Sequence, residues 1–272
     1  MLGLLAETPI HPGSGRSLGV VDLPVAREAA TDYPVMVGSS LKGALRDKAT
    51  AGQVIEEAAA NHAFGMPDQA GELLISDGRL LLLPVRSLTG AARWVTCPHL
   101  VERYRRDLLR AGLSPLPVKP SLDQGQALAS GSGYLFLEER QFMIVAAPAT
   151  DLVEAIETLM IHAEVRQRLS EQVVVVHDDD FAWFARYGLS VQARNALSKD
   201  GTKRSESLWY EETLPPDSLM YAIVLGRTED SLEPLHRLFP KSDPYLQAGG
   251  NETVGHGWFA VSIRNGQTGG GA

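Results

Sequence analysis

The sequence has very little cysteine, since Cys97 is the only one in 272 residues. A lone cysteine excludes an internal disulfide and a cysteine-based zinc knuckle. Long apolar runs are also missing, because stretches such as 80–85 and 173–176 fall far short of the roughly 20 residues of a membrane helix. Residues 1–9 carry Glu7 and no basic region ahead of an apolar segment, which argues against a signal peptide. We therefore expect a cytoplasmic protein with no membrane partner.

An excess of positive charge is absent as well, because the formal net charge is −8. A simple nucleic-acid-binding protein is basic overall. The charge is unevenly distributed, however. Residues 86–119 contain seven Lys or Arg against two acidic residues, and residues 186–204 contain five against one. Two such patches could meet phosphate while the acidic remainder keeps the protein soluble, but two ordinary solvated faces would have the same composition.

The order of the predicted elements indicates an α+β fold. Residues 72–85 look like a strand pair or one long strand bent near Asp77-Gly78. With this stretch taken as one strand, strands are expected at 1–9, 73–83, 220–226 and 257–264, with helices at 39–49 and 230–239 between them. This β-α-β-β-α-β order is the ferredoxin-like one. Because no internal repeat is visible, we expect one elaborated domain over residues 1–272, with residues 86–219 inserted between the second and third strands.

Further elements are predicted inside that inserted segment. Asp151 and Glu154 form a capping-box pattern that starts a helix running to about Leu169. Strands are expected at 141–147 and 173–176 on either side of this helix. Residues 189–197 and 204–213 flank an Asp-Gly turn of the kind that closes a β-hairpin.

The start of the first predicted helix is a candidate anion site. Ser39 or Ser40 offers an N-cap, and backbone amides at a helix start favour an anion. Lys42 and Arg46 lie four residues apart and share one helix face, and Gly43 lets another backbone come close. The pattern suits phosphate, although a solvated basic face has the same pattern. The Walker spacing is absent, so a nucleotide-hydrolysing P-loop is not expected.

Two irregular segments carry the other candidate residues. The segment 249–257 has four glycines in nine residues, which is typical of a loop whose amides approach a ligand. The segment 11–37 shows no helical period and contains Asp22 between apolar neighbours. A loop that long is usually functional or disordered. No metal-ligand spacing accompanies Asp22, so a preformed metal cage is not indicated, and an isolated loop aspartate is most often structural or solvated.

Taken together, these segments resemble the RAMP superfamily of CRISPR proteins. The resemblance is carried by Thr8-Pro9-Ile10-His11-Pro12-Gly13-Ser14-Gly15, Gly19-Val20-Val21-Asp22-Leu23-Pro24-Val25-Ala26-Arg27-Glu28 and Gly38-Ser39-Ser40-Leu41-Lys42-Gly43-Ala44-Leu45-Arg46, and it continues through 77–87, 96–98, 210–215 and 252–257. Within the superfamily the match is closest to the repeating backbone subunits of type III-B (Cmr) effector complexes. The likeness spans nearly the whole chain, but His256 stands where these proteins usually have an arginine.

This resemblance implies a ferredoxin-like (RRM-like) palm with finger and thumb insertions. The palm would comprise about 1–85 and 214–266, and the insertions about 86–213, with the hairpin at 189–213 as the thumb. Such subunits polymerise along a guide RNA, pair it with a target RNA and assemble with further copies and other subunits of the complex. The thumb hairpin displaces one nucleotide from the duplex of guide and target.

The resemblance also implies the site residues. Asp22 matches the catalytic aspartate, and we expect it to hold Mg²⁺ or Mn²⁺ jointly with RNA phosphates during attack by a 2′-hydroxyl. The predicted RNA-binding residues are His11, Ser39, Ser40, Lys42, Arg46 and Gly255. The role expected for His11 is structural or RNA-contacting.

Three other functions stay open at this point. The chain could be an RNA-binding scaffold without catalytic activity, whose complex signals through another protein. It could be a guide-processing endonuclease of the same superfamily, but it lacks a second histidine near His11 for an acid and base pair. A metabolic α+β enzyme is the third alternative, and such an enzyme would purify without RNA.

Overall fold

The computed structural model describes residues 1–51, 54–116, 120–197 and 205–266, which form a mixed α+β structure. The strands are β1 (Leu2–Ala6), β2 (Val35–Met36), β3 (Leu73–Ile75), β4 (Gly78–Arg86), β5 (Ala92–Thr96), β6 (Gln126–Leu128), β7 (Tyr134–Leu137), β8 (Arg140–Ala146), β9 (Val173–Val176), β10 (Ser190–Leu197), β11 (Ser205–Thr213), β12 (Leu219–Ala222), β13 (Val224–Gly226), β14 (Tyr245–Gln247) and β15 (Trp258–Ile263). The helices are α1 (Gly38–Ala51), α2 (Glu57–Phe64), α3 (Pro98–Arg110), α4 (Thr150–Glu157), α5 (Ala163–Gln172), α6 (Asp178–Tyr187) and α7 (Glu233–Leu238), with short 3-10 turns at Glu229–Leu232 and Glu252–Val254. Within the described residues, none of these helices has the length and apolar character needed to cross a membrane.

Four antiparallel strands form the centre of the main sheet, in the order β15-β1-β12-β4. The first strand therefore lies between the last strand and β12, and Leu4 pairs with Met220 on one side and with Val261 on the other. This order is compatible with a ferredoxin-like palm. The predicted α+β class is confirmed.

The inserted segment extends the same sheet. Beyond β4 the order continues through β5, β9, β6, β8 and β7, with β5 and β9 parallel. The hairpin β10–β11 forms a separate two-stranded sheet, so the predicted pair of strands is confirmed. Its Asp-Gly turn lies outside the described residues.

Both faces of the main sheet are covered by apolar cores. On one face, Leu2 and Leu4 pack with Leu41 and Leu45 of α1, which confirms the predicted apolar face of this helix. On the other face, Leu5 packs in a second core against α3. Alternate residues of a strand point to opposite faces, and each fully buried leucine contributes about 2 kcal/mol. These two cores stabilise the main sheet on both of its faces.

Two predicted strands are each broken in the middle. Residues 73–75 pair with β13, whereas β4 pairs with β12, so the chain changes sheets between them. The segment 220–226 changes sheets at the same level, at Ile223. Ser76 joins the two breaks, because Ile223 N donates to Ser76 Oγ at 2.9 Å and Ser76 N donates to Ile223 O at 3.0 Å.

The predicted helix from Asp151 to Leu169 is wrong, because two helices occupy this segment. α4 ends at Glu157 and α5 begins at Ala163. The capping box is not formed either, since the Asp151 side chain accepts from the adjacent Leu152 N at 2.9 Å. Apolar periodicity continues across the break, and periodicity alone therefore joined the two helices.

The predicted serine N-cap of α1 is also wrong. The helix begins at Gly38, whose amide donates to Asp77 Oδ1 at 2.7 Å, and Ser39 and Ser40 lie exposed in the first turn. Asp77 is distant from Gly38 in sequence but adjacent to it in space. A Cβ added to Gly38 would lie 3.0 Å from Ile75 O and 3.2 Å from Asp77 N. A carboxylate of the protein itself therefore sits at the positive end of this helix.

We expect Asp77→Ala to lower the free energy of unfolding by about 1 kcal/mol, because the Gly38 amide loses its acceptor. Urea unfolding monitored by circular dichroism measures the change. Ser39→Ala and Ser40→Ala are the matched controls, and each is expected to stay within about 0.5 kcal/mol of the native chain. A larger loss in either serine variant than in Asp77→Ala would contradict this assignment of the cap.

Candidate nucleic-acid interface

One edge of β11 holds the two irregular loops that the sequence singled out. Tyr210 N donates to Asp22 Oδ2 at 2.8 Å, and Tyr210 O accepts from Leu23 N at 3.0 Å. Two residues farther on, Glu212 N donates to Leu23 O at 3.0 Å, and Glu212 O accepts from His11 Nδ1 at 2.8 Å. Since a strand rises about 3.3 Å per residue, Asp22 and His11 are attached to the same strand edge roughly 7 Å apart.

The side chain of Glu212 folds the Asp22 loop onto the hairpin. Its Oε1 accepts from Arg27 Nη2 at 2.7 Å, and its Oε2 accepts from Val25 N at 3.0 Å. Arg27 Nη1 donates to the carbonyl oxygens of Asp32 and Ala185 at 2.9 and 2.8 Å. The loop that carries Asp22 is therefore fixed at its base by a charge-assisted network.

Glu211 points to the opposite face of β11 and joins the hairpin to the glycine-rich loop. It is 1% exposed, and its Oε1 accepts from Asn251 Nδ2. Arg194 Nε lies 2.9 Å from Glu211 Oε2 in a geometry too bent for a hydrogen bond, so this contact is an ion pair. His11 Nδ1 lies 3.9 Å from Oε1.

Sequence reasoning did not single out either glutamate as a site residue. Both appear only within the run Tyr210-Glu211-Glu212 that contributes to the resemblance. Two adjacent carboxylates in a strand point to opposite faces, and each one needs its own partner when it is buried. The partners prove to be Arg27, in the Asp22 loop, and Arg194, in the neighbouring strand β10.

The glycine-rich loop has a left-handed residue on each side of a short 3-10 turn. Asn251 has φ +67° and Gly255 has φ +81°. Gly255 is exposed, and a Cβ there would meet nothing within 4 Å. His256 Nδ1 lies 3.4 Å from Arg194 Nη2. Partial burial lowers the pKa of His256, and the Arg194 guanidinium lowers it further, which leaves the neutral ring as an acceptor for this arginine.

A cavity of about 470 Å³ separates this loop from α1. Its wall includes His11, Gly13, Ser40, Gly43, Gly249 and Gly250. The fold thus brings the glycine-rich loop, the His11 segment and the start of α1 together. Asp22 and Gly255 are not on this wall.

The predicted phosphate-binding pair lies on another side of α1. Arg46 Nη1 donates to Gly65 O at 2.8 Å and Nη2 donates to Asn61 Oδ1 at 2.7 Å, so α2 holds this guanidinium. Lys42 is half-buried and has no partner among the described residues. Lys42 therefore presents the more available cation, and contact of either side chain with RNA stays a prediction.

The two predicted basic patches are largely committed to contacts within the protein. The pairs are Arg86 with Glu138, Arg93 with Glu171 O, Arg103 with Glu28, Arg105 with Leu116 O, Arg110 with Asp107, Arg186 with Asp32 and Arg194 with Glu211. Arg106 is exposed. Lys119, Lys199, Lys203 and Arg204 lie outside the described residues. Among the described cations of the two patches, most therefore already have a partner within the protein, although Arg86, Arg110 and Arg186 remain exposed.

Comparison with known proteins assigns the family. The profile of the RAMP superfamily matches residues 4–260. The CRISPR system Cmr endoribonuclease Cmr4 of Pyrococcus furiosus is 34% identical over 97% of this chain and 95% of its own length.

Solved structures agree with this assignment. A crystal structure of oligomeric Cmr4 from Pyrococcus furiosus is 28% identical, covers 97% of this chain and 98% of its own, and superposes with a TM-score of 0.77. A subunit in a cryo-EM structure of the type III-B Cmr-beta complex bound to cognate target RNA shares the fold, with a TM-score of 0.75 at 20% identity over 96% of this chain and 95% of its own. The chain therefore belongs to the RAMP superfamily and, within it, to the Cmr4 group of CRISPR proteins.

Proposed function

We propose that the chain is the repeating backbone subunit of a type III-B CRISPR ribonucleoprotein that binds guide RNA and cleaves complementary target RNA. The relative from Pyrococcus furiosus is named as a Cmr endoribonuclease, and its crystal structure is described as oligomeric. The partners would be guide RNA, target RNA, further copies of this chain and other subunits of the complex. Because its RNA partners would be cellular transcripts, we also propose a cytoplasmic location.

The attachment of Asp22 and His11 to one edge of β11 carries this proposal. Asp22 is bound through Tyr210 N and His11 through Glu212 O, so the hairpin, the aspartate loop and the wall of the glycine-lined cavity form one unit. A nucleotide displaced by the hairpin would lie beside Asp22. The neighbouring guide strand would follow the cavity between α1 and the glycine-rich loop.

The hairpin has an exposed apolar face suited to a displaced base. Val191, Leu208 and Tyr210 are 48%, 60% and 43% exposed. The register places them on one face, since Ala193 pairs with Tyr210 and Asn195 pairs with Leu208. Aromatic and apolar side chains support unstacked bases of any sequence. The backbone of Tyr210 is also the group that binds Asp22, which puts this face next to the proposed catalytic residue.

Cleavage would follow from the strained geometry of the displaced nucleotide. Its 2′-oxygen attacks the adjacent phosphorus, the bond from phosphorus to the 5′-oxygen breaks, and the products carry a 2′,3′-cyclic phosphate and a 5′-hydroxyl. The proton of the 2′-hydroxyl goes to solvent, and the leaving 5′-oxygen takes one from water. Alignment of the attacking oxygen with the leaving group would supply much of the rate. In general a carboxylate is a weak base toward a ribose hydroxyl, so Asp22 is better suited to hold a cation.

The donor set at Asp22 fits Mg²⁺ or Mn²⁺ held jointly with RNA. Oδ2 accepts from Tyr210 N, which leaves Oδ1 as a hard oxygen ligand. Mg²⁺ keeps several waters and needs only one or two carboxylates when substrate phosphates complete its shell. In the described part of the chain no group of three or more His, Cys, Asp or Glu is placed to hold a metal, so the RNA would have to contribute ligands. When bound, the ion would stabilise negative charge on the scissile phosphate.

The assembled particle tests the proposal. It is incubated with end-labelled complementary RNA in Mg²⁺, in Mn²⁺ and in chelator, with a non-complementary RNA as control. We expect products at regular spacing with the complementary RNA and a divalent ion only, because each copy brings one active site. Binding of target without cutting would support the scaffold alternative. A particle that purifies without any RNA would exclude both and favour a metabolic enzyme.

A further inference from the structure

The two ring nitrogens of His11 have different surroundings. The residue is 7% exposed, and Nδ1 lies 2.8 Å from Glu212 O. A carbonyl oxygen can only accept, so Nδ1 carries the proton and donates. The Glu211 carboxylate, with Oε1 at 3.9 Å from Nδ1, favours a proton on the same nitrogen. In the neutral ring Nε2 is then an acceptor.

The space in front of Nε2 is free of side chains because the neighbouring residues Gly13 and Gly250 have none. Nε2 has no hydrogen-bond partner among the residues that the structure describes. A Cβ on Gly13 would lie 2.7 Å from Nε2, and one on Gly250 would lie 3.1 Å from Cδ2. The 470 Å³ cavity beside the ring is also lined by Ser40 and Gly43 of α1. An acceptor on a largely buried residue therefore faces a space that larger side chains would fill.

We propose that Nε2 of His11 accepts a hydrogen bond from a ribose 2′-hydroxyl of the guide strand, so that His11 selects RNA over DNA in this cavity. This assignment rests on the proposed function, which places the guide between α1 and the glycine-rich loop.

The chemistry of the backbone restricts the partner to that hydroxyl. Phosphate oxygens and the furanose oxygen only accept, whereas the 2′-hydroxyl also donates and is absent from DNA. Apart from His11 itself, no aromatic side chain is among the described residues that line the cavity, so the site lacks a second ring to hold a stacked base. The carboxylate of Asp47 on the same wall repels phosphate, which leaves the sugar as the group that fits.

Two substitutions of His11 test the roles of Nδ1 and Nε2 separately, and a third variant changes only the space in front of Nε2. In His11→Asn the side-chain amide takes the place of Nδ1 and keeps a donor for Glu212 O, while the Nε2 acceptor is removed. In His11→Gln the amide reaches toward the position of Nε2 and restores an acceptor there. Gly13→Ala keeps the histidine and places a methyl group against Nε2.

Three single-stranded oligonucleotides of guide length and identical sequence serve as probes: RNA, its 2′-fluoro analogue and its 2′-deoxy analogue. The 2′-fluoro sugar keeps the RNA pucker but cannot donate a hydrogen bond. Anisotropy titration with the full chain measures each affinity. For the native chain we expect binding of RNA about 5-fold tighter than binding of either analogue, the effect of one hydrogen bond per site. His11→Asn and Gly13→Ala should abolish this preference, and His11→Gln should retain part of it.

Different results overturn different statements. A native chain that binds none of the three probes contradicts the proposed function itself. A chain that binds RNA well but no tighter than 2′-fluoro RNA refutes the assignment of His11 alone. Equal losses for all three probes in His11→Asn would show that the ring contacts phosphate, which also refutes it. Thermal unfolding of His11→Asn close to that of the native chain shows that these comparisons concern folded protein.

Discussion

Replacement of Asp22 by asparagine is expected to slow target-RNA cleavage by roughly 10²-fold or more, with guide and target binding unchanged. Asparagine keeps an oxygen that can accept from Tyr210 N, so the loop stays attached to β11. It loses the negative charge that would hold a divalent ion. Single-turnover cleavage of labelled RNA by the assembled particle measures the rate, and a filter-binding assay measures retention of the target.

Asp32→Asn is the matched control for this experiment. Asp32 lies in the same irregular segment, its φ of +63° suits asparagine, and its ion pair with Arg186 is exposed. We expect cleavage at the native rate. Cleavage at the native rate by Asp22→Asn would refute the catalytic assignment, and loss of RNA binding in that variant would show that Asp22 holds the strand.

Local patterns in the sequence were enough to predict some elements. α1 follows from the four-residue spacing of Leu41, Leu45 and Ala49, and β9 follows from a run of four valines. The hairpin follows from two strand-like segments around an Asp-Gly turn. Each of these patterns lies within one element, so no distant residue was needed to interpret it.

The parts that were missed depend on residues that are distant in sequence. The cap of α1 comes from Asp77, and the break at Ile223 in the predicted strand 220–226 is held by Ser76. The contacts of Arg46 with Asn61 and Gly65 were not predicted either, because the helical spacing to Lys42 drew attention only to phosphate. Spacing along a helix shows which side chains share a face and does not show what packs against that face.

The same limit applies to the candidate site. Asp22 and His11 were predicted because their segments resemble a known family, and neither loop shows by itself which strand will hold it. Buried carboxylates need partners, and those of Glu211 and Glu212 come from the Asp22 loop, the hairpin and the glycine-rich loop. The site is therefore a property of three segments that only the folded chain brings together.

Glu211→Gln is expected to lower the free energy of unfolding by about 3 kcal/mol, because Arg194 loses its counter-charge at a largely buried position. For a chain of this size that corresponds to a fall in melting temperature of roughly 5 °C. Thermal unfolding followed by circular dichroism measures it. Glu233→Gln removes the exposed partner of Arg237 and is the matched control, with an expected change below about 0.5 kcal/mol.

A double variant separates stability from positioning. Replacing a buried ion pair by apolar residues of similar size is often neutral, so Glu211→Leu combined with Arg194→Met should recover most of the lost stability. It should not recover cleavage, because the contact of Glu211 with Asn251 is lost and the glycine-rich loop is no longer tied to the strand that holds Asp22 and His11. A double variant that is stable and cuts RNA at the native rate would show that Glu211 only compensates the charge of Arg194. If the double variant is as unstable as the sum of its single changes, the ion pair is not the cause of the instability in Glu211→Gln.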